Sequence, residues 1–396
     1  MKALRFERSL PRYGLALAAS RLGRGAGSAA RVGPLSLVDI DAPVLPGPDW
    51  MRLQPRLTGI CGSDLATIEG RSSRYFEPIV SFPFTPGHEV VGTLENGDRV
   101  VLEPVLGCVS RGIDPMCPSC AAGDLGRCER ITFGAVEAGL QSGFCCDTGG
   151  GWSTSMVAHR SQLHKVPDEL SDEDAVMIEP AACAVHGALA AGSADGGVVA
   201  VIGAGTLGAL VTAALVRWNR PASLVVAAKH PQQRALASKL GATAVCEPSA
   251  IRRAVRLETG TLAIGDGDVQ RLAGGADLVI DCVGSAESIA DAFAVIRPGG
   301  AVVLVGMPGT VRLDLTPLWH REIRLIGAYA YGVEALLERR RTFDLAIELV
   351  ASQRLGTLVS ATYPLDRYED AFAHAGAAGR RGATKIAFDL RQERTR

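Results

Sequence analysis

The chain has 396 residues, of which 47% are hydrophobic and 21% are charged, a composition typical of a globular protein with room for two domains. Its 41 Lys and Arg residues nearly balance its 42 Asp and Glu residues, so no overall field favours nucleic acid or an anionic membrane, and we expect a small-molecule partner. No run of about 20 apolar residues could span a bilayer, and charges interrupt residues 1–12, where a signal peptide has its apolar centre, so we expect a cytoplasmic location.

The predicted elements change in character along the chain. From residue 35 to about residue 167, short β-like runs separated by Gly and Pro predict an irregular, β-rich domain. The Ala-, Gly- and Arg-rich stretch at residues 12–33 fits either a short surface helix or a loop and carries no motif with a chemical meaning. After Glu179, strands alternate with helices, which predicts an α/β fold with a doubly wound parallel sheet. The predicted strands cover residues 198–202, 224–228, 277–281 and 301–305, the predicted helices cover residues 181–191, 207–218 and 231–240, and a helix-rich segment covers residues 335–353.

A glycine motif follows the predicted strand at residues 198–202. Gly203 permits a tight turn, Gly205 lets a pyrophosphate approach the backbone, and Gly208 lets the following helix pack on the strand. A glycine-rich turn without a ligand is the alternative, but the strand, helix and second strand around the motif favour a Rossmann dinucleotide site. The residues predicted to line this site are Gly203, Gly205, Thr206, Leu207, Gly208, Cys282 and Gly306.

The end of the second predicted strand bears on the choice of cofactor. NAD enzymes place an acid about 20 residues after the glycines, where it binds the ribose 2′-hydroxyl. Here Lys229 and His230 follow the strand, and Arg234 lies one helical turn later. Cations pair with the 2′-phosphate that a carboxylate would repel, so these residues favour NADP over NAD. The alternative is that Lys229 and Arg234 are solvated charges at the start of a helix.

Four of the ten cysteines fall within one loop that contains Gly and Pro. They are Cys108, Cys117, Cys120 and Cys128. Four thiolates this close in sequence can complete a tetrahedral zinc site, and a site with four protein ligands has no open position, so this zinc would be structural. Chance clustering and a redox CxxC pair are the alternatives, but a redox pair has no need of the two outer cysteines.

Two other segments combine potential ligands of a catalytic metal. Cys61, Ser63 and Asp64 lie in one turn, and His88 stands in a later segment bounded by proline. Taken singly, a Cys or a His is more often a core residue. Glu179 stands where the β-rich region gives way to the nucleotide-binding region, the usual location of a cleft. Ligation by Cys61, His88 and Glu179 would leave a fourth zinc position open for water or a substrate oxygen.

These motifs, in this order, resemble the zinc-containing medium-chain dehydrogenases/reductases, particularly their bacterial polyol, sugar and threonine dehydrogenase branch. The resemblance covers the chain from about residue 35 onward. It implies that Cys61, His88 and Glu179 bind a catalytic zinc, that Glu89 is an alternate or nearby ligand, and that the four-cysteine lobe binds a structural zinc.

The resemblance also implies an organisation and an activity. A β-rich GroES-like catalytic domain with the zinc lobe would cover residues 1–180 and 326–396, and a Rossmann domain would cover residues 181–325. The expected reaction is zinc-dependent hydride transfer between an alcohol, polyol or sugar hydroxyl and NAD(P), with the hydride chemistry belonging to the nicotinamide. Family habit predicts a homodimer or homotetramer.

Within this scheme we expect different roles for the neighbouring residues Ser63, Asp64 and Ala66. Ser63 would be the first proton acceptor, through a hydrogen bond to the substrate oxygen. Asp64 would orient His88 by accepting the other ring N–H. Where the family often has a His that relays the proton to solvent, this chain has Ala66, which leaves the proton exit route open.

Two rival functions compete with this interpretation. One is a zinc-free reductase of the same superfamily that reduces quinones or enones with the cofactor alone. The other is a binding protein that senses the cofactor and has lost its chemistry. The combination of Cys61, His88 and Glu179 counts against the zinc-free reductase, while metal analysis and turnover of NAD(P) with an alcohol panel would separate all three functions.

Overall fold

The computed structural model describes residues 1–23, 25–266 and 270–393. The chain divides into two compact units, the first formed by Met1–Glu179 with the chain from Val350 onward, and the second by Pro180–Leu349. None of the helices in the described ranges combines the length and apolar character needed to cross a bilayer.

The elements are numbered in chain order. The strands are β1 (Lys2–Phe6), β2 (Leu35–Asp39), β3 (Trp50–Gly59), β4 (Val90–Leu94), β5 (Arg99–Leu102), β6 (Met156–His159), β7 (Leu163–Lys165), β8 (Val198–Ile202), β9 (Ser223–Ala227), β10 (Ala244–Cys246), β11 (Ala263–Ile264), β12 (Arg271–Leu272), β13 (Ala276–Asp281), β14 (Ile296–Leu304), β15 (Arg324–Gly327), β16 (Val333–Glu334), β17 (Arg340–Arg341), β18 (Val359–Tyr363) and β19 (Lys385–Asp389). The helices are α1 (Leu10–Arg21), α2 (Gly25–Val32), α3 (Gly62–Ile68), α4 (Pro118–Ala121), α5 (Asp172–Ala175), α6 (Ile178–Leu189), α7 (Thr206–Ala214), α8 (Pro231–Lys239), α9 (Ile251–Thr259), α10 (Ala286–Val295), α11 (Thr316–His320), α12 (Thr342–Gln353) and α13 (Tyr368–Gly376).

The first unit is built on a seven-stranded sheet in the order β18-β19-β3-β4-β5-β7, with β6 also paired to β3. Its pairs are antiparallel except β18 with β19. The long strand β3 therefore has β4 on one side and the C-terminal strand β19 on the other. Short strands separated by turns agree with the predicted β-rich domain.

The stretch at residues 12–33, for which the sequence left a short helix or a loop open, belongs to the helix pair α1 and α2. The buried face of α2 consists of small residues, and it packs closely on α13. A side chain at Gly27 would meet the backbone of Glu369 on α13 at 2.6 Å. The small residues thus serve close helix packing, which depends on a helix more than 300 residues away and leaves no local signature.

The second unit contains a six-stranded parallel sheet in the order β10-β9-β8-β13-β14-β15. When only the strands of this sheet are numbered in chain order, it has the order 3-2-1-4-5-6 of a dinucleotide-binding Rossmann fold, with the switch point between β8 and β13. The strand interiors are apolar because helices cover a parallel sheet on both faces. The predicted doubly wound sheet is confirmed.

Two details of the second unit differ from the sequence expectation. The unit ends at Leu349, beyond the predicted end at residue 325, because β16, β17 and the first part of α12 pack within it. Glu334 of β16, for example, lies 2.9 Å from Nδ1 of His186 on α6. The helix-rich segment predicted at residues 335–353 begins with a 3-10 turn at Ala335–Leu337, and β17 separates this turn from α12.

Candidate metal centres and nicotinamide site

The register of β3 against β4 brings three potential metal ligands together. Thr58 of β3 pairs with Val90 of β4. Cys61 follows β3 and His88 and Glu89 precede β4, so antiparallel pairing places them side by side at one end of the sheet. One ligand atom from each of these three residues lies within 4.8 Å of the other two.

Asp64 supports this cluster from helix α3. Its Oδ2 accepts a hydrogen bond of 2.9 Å from the backbone N–H of Cys61, and its Oδ1 lies 3.4 Å from His88 Nδ1. Burial by itself lowers the pKa of His88, but the carboxylate of Asp64 and the thiol of Cys61 outweigh it, and the pKa is held well above its usual value. Ser63 lies half-buried in the first turn of α3, and Ala66 is buried on the next turn.

Lys385, which the sequence analysis missed, touches the cluster from the first residue of β19. Its ammonium is buried in contact with Glu89 Oε2 and donates a hydrogen bond of 3.2 Å to the carbonyl of Ile60. Burial lowers the pKa of Lys385, but the charges of Glu89 and Cys61 reverse the shift and raise it. The signal available in the sequence was a lysine immediately before the apolar run at residues 386–388, and only the pairing of β19 with β3 shows what the lysine meets.

The position of Glu179, the third ligand that the sequence predicts, differs from that of Glu89. It is buried in the first turn of α6 and its charge acts on Lys385, but it is not part of the group of ligand atoms within 4.8 Å. Within the described residues, Cys61 and His88 are joined instead by Glu89. The register of β3 against β4 brings both His88 and Glu89, which directly precede β4, beside Cys61.

The chemistry of this donor set fits a zinc ion. Thiolate, imidazole and carboxylate are its usual protein ligands, and three of them leave a catalytic zinc one open position. Glu89 Oε1 is also buried without a hydrogen-bond partner in the described structure. A buried carboxylate oxygen of this kind is costly unless a cation takes it up.

The four-cysteine loop forms a second cluster, whose sulfur atoms all lie within 4.8 Å of one another. Backbone N–H groups donate to these sulfurs at 3.3–3.4 Å, as from Cys117 to Cys108 and from Cys120 to Cys117. Burial raises the pKa of the Cys117 thiol, but such N–H donors lower it overall to about 7. Four convergent sulfurs suit tetrahedral zinc, and the two outer cysteines set the cluster apart from a redox pair.

The glycine motif lies at the carboxyl end of β8. Gly203 has φ of +90°, which favours glycine, and a side chain at Gly208 would overlap the Gly203 carbonyl. Among the described residues, none has an atom within 4 Å of a side chain built at Gly205, so this face of the turn is open. Cys282 and Gly306 follow β13 and β14, and a side chain at Gly306 would meet the Val283 backbone at 2.5 Å.

The basic residues after β9 have different surroundings. Arg234 donates to the carbonyls of Ala228 at 2.8 Å and Lys229 at 3.2 Å, and it lies 3.5 Å from Glu247. Lys229 is exposed. The backbone N–H of His230 bonds Gln233 Oε1 at 3.4 Å, which helps to cap α8. Arg234 therefore holds the turn, while Lys229 is available to a ligand.

Comparison with known proteins decides the family. Residues 47–168 match the alcohol dehydrogenase GroES-like domain, and residues 206–352 match the zinc-binding dehydrogenase domain. D-xylulose reductase A of Aspergillus oryzae is 30% identical over 345 residues, which cover 84% of this chain and 87% of that protein. The chain belongs to the zinc-containing medium-chain dehydrogenase/reductase family. It is a zinc-dependent oxidoreductase of the alcohol dehydrogenase type that works with a nicotinamide cofactor, as the resemblance implied.

Other members of the zinc-containing medium-chain dehydrogenase/reductase family extend the likeness. Sorbitol dehydrogenase of Arabidopsis thaliana is 28% identical over 361 residues, covering 87% of this chain and 89% of that enzyme. A solved structure described as a zinc-binding dehydrogenase from Sinorhizobium meliloti 1021, bound to NADP, is 26% identical with a TM-score of 0.67. The match covers 90% of this chain and 95% of the chain in that structure.

Proposed function

We propose that this dehydrogenase interconverts a secondary hydroxyl of a polyol or sugar with the corresponding ketone, and that it prefers NADP. The observation that carries the proposal is the convergence of Cys61, His88 and Glu89 within 4.8 Å beside β3 and β4. The names of its relatives, D-xylulose reductase and sorbitol dehydrogenase, support a polyhydroxylated substrate. The cytoplasmic location and the homodimer or homotetramer stay predictions.

Each residue of the centre has a task in this proposal. Cys61, His88 and Glu89 would hold the catalytic zinc, which when bound supplies Lewis-acid polarisation of the substrate oxygen. Asp64, whose Oδ1 lies 3.4 Å from Nδ1 of His88, would orient the imidazole and leave Nε2 for the metal. Ser63, two residues after Cys61, would accept the hydroxyl proton of the substrate.

Lys385 and Glu179 add to the electrostatics of the proposed centre. The buried ammonium of Lys385 offsets part of the negative charge of Glu89 and Cys61. Glu179 lies close enough to act on the same ammonium. The charge of the centre is therefore shared among Cys61, Glu89, Glu179 and Lys385.

The preference for NADP rests on Lys229. Lys229 is exposed two residues after the end of β9, in the region where NAD enzymes have the acid that binds the ribose. Residues 228–234 contain neither Asp nor Glu. An ammonium at this point pairs with a 2′-phosphate.

Metal content and turnover of variants test the proposal. The wild type should carry about two zinc ions per chain, one structural and one catalytic. Cys61→Ser should retain about one zinc, bind the cofactor normally and lose turnover with polyols. Glu89→Gln should lose catalytic zinc more readily than Glu179→Gln, because only Glu89 is grouped with the other ligands.

Cys246→Ser is the matched control, since Cys246 lies outside both clusters. It should keep both zinc ions and full turnover. Turnover by metal-depleted Cys61→Ser would reject zinc catalysis at this site, and activity with simple alcohols but none with polyols or sugars would reject the substrate class.

A further inference from the structure

Arg111 is a fully buried arginine between the first and second cysteines of the four-cysteine cluster. Within the part of the chain that the structure describes, its guanidinium donates hydrogen bonds only to backbone carbonyls. These belong to Leu106 (3.0 Å), Phe133 (2.9 Å), Val136 (2.9 Å), Glu137 (3.3 Å) and Gly139 (2.6 Å). In the described chain no carboxylate lies within ion-pair distance of it.

A buried guanidinium needs a compensating negative charge. Removing a cation from water costs several kcal/mol, and carbonyl dipoles alone return only part of this. The backbone N–H of Arg111 donates to the carbonyl of Cys108 at 3.2 Å, which fixes Arg111 in the loop that carries the cluster. Burial lowers the pKa of the guanidinium, and the thiols of Cys145, Cys128 and Cys108, the last two from the cluster, act in the opposite direction. Four thiolates around a divalent ion carry a net charge of about minus two, which supplies the missing counter-charge.

The segment that Arg111 holds continues to the candidate catalytic centre. Gly139 pairs with Val80 in an isolated β-bridge. Further along, the backbone N–H of Ser81 donates to the carbonyl of Phe144 at 3.4 Å. The ring of Phe144 lies 6.1 Å from the ring of His88, measured between centroids. A continuous stretch of backbone therefore runs from the carbonyls bound by Arg111 to the apolar neighbour of His88.

We propose that Arg111 is a positioning residue that balances the charge of the metal-loaded four-cysteine cluster and couples metal occupancy to the 133–144 segment beside His88. The proposal rests on zinc binding by the four cysteines, not on the substrate class. Its contacts explain why a cation, rather than an apolar residue, occupies this buried position.

Two variants separate charge from hydrogen bonding. Arg111→Lys keeps the charge, whereas Arg111→Gln keeps neutral N–H donors and removes it. Loss of a neighbour that supports a metal site weakens metal binding roughly 10- to 100-fold, so we expect Arg111→Gln to release structural zinc to a chelator at least tenfold more readily. Arg111→Lys should lie between Arg111→Gln and the wild type. Equal zinc retention in the two variants, or better retention in Arg111→Gln, would overturn the charge role.

Arg127→Gln is the control within the same lobe. The Arg127 side chain is 70% exposed and pairs with Asp124 at 3.5 Å. Its removal should leave zinc release unchanged. If the wild type itself holds no zinc at the cysteines, the metal assignment fails. If the wild type holds zinc at the cysteines and both Arg111 variants release it at the wild-type rate, the proposed role of Arg111 is wrong and the metal assignment stands.

Coupling is tested by hydrogen exchange at the amides of Ala135 and Gly139. Ala135 donates to the Arg111 carbonyl at 2.9 Å. Cys117→Ser, which disables the cluster, and Arg111→Gln should each reduce the protection of these amides from exchange. The double variant should reduce it no further, because coupled sites are not additive.

Arg111→Gln should also raise substrate KM several-fold with a smaller change in kcat, because Phe144 flanks the centre. Additive loss of protection, or an unchanged KM, would contradict the coupling.

Discussion

At the scale of single residues, charges with the same sign and similar positions in sequence have different roles. Lys229 and Arg234 both follow β9, yet the guanidinium of Arg234 is engaged by carbonyls of its own turn and the ammonium of Lys229 is exposed. The difference arises because Arg234, on the first turn of α8, reaches back to Ala228. Of these two residues, Lys229 is therefore the one that we propose discriminates between the two cofactors.

Lys229→Ala should weaken NADP binding roughly tenfold and change NAD binding by less than about twofold, because a charge-assisted hydrogen bond to phosphate is lost. Arg234→Ala should weaken both cofactors together, since it releases the turn. Fluorescence titration with NADPH and NADH measures both effects. Lys239→Ala, at the exposed end of α8, is the control. Equal losses for both cofactors in Lys229→Ala would remove the NADP preference.

At the scale of elements, the turn between β8 and α7 shows why individual glycines differ. A side chain at Gly208 would overlap the Gly203 carbonyl, whereas a side chain at Gly205 meets nothing within 4 Å. Gly208 is thus required for packing of helix on strand. Gly205 leaves open space where a cofactor approaches the helix N-terminus.

Gly208→Ala should lower the free energy of unfolding by about 1–3 kcal/mol, because an added methyl group forces backbone shifts in a packed turn. Gly205→Ala should leave the free energy of unfolding within about 0.5 kcal/mol and weaken cofactor binding. Denaturant unfolding together with cofactor titration separates the two effects. Normal cofactor affinity in Gly205→Ala would argue against pyrophosphate binding at this turn.

At the scale of the whole molecule, the first unit is completed by the C-terminal part of the chain. Asp172 is only 4% exposed, and its carboxylate forms ion pairs with three arginines, which come from β3, β5 and the C-terminal segment. They are Arg56 at 2.9 Å, Arg99 at 3.3 Å and Arg391 at 3.7 Å. One buried carboxylate therefore ties together segments as far apart in sequence as Arg56 and Arg391, which are separated by 335 residues.

Asp172→Asn should destabilise the first unit by about 3 kcal/mol, because it leaves a cluster of arginines without their central counter-charge. Asp370→Asn is the matched control. Asp370 is 58% exposed and pairs with Arg367 three residues earlier, so its loss should cost less than about 1 kcal/mol. Urea unfolding of both variants compares them, and equal stabilities would show that Asp172 does not tie the segments together.

The sequence by itself determined the features that depend on neighbouring residues. The order of β and α elements after Glu179, the glycine turn after β8 and the four cysteines of one loop are all encoded within short windows. Periodicity and spacing report such features directly, because the residues involved stay close together whatever the rest of the chain does.

Only the tertiary structure decided which distant residues meet. The pairing of β3 with β4 and β19 puts Glu89 and Lys385 beside Cys61 and leaves Glu179 outside the group of ligand atoms. The partners of Arg111 and the packing of α2 on α13 depend in the same way on how segments return to one another. Strand register and sheet order set these contacts, and neither leaves a mark in the local sequence.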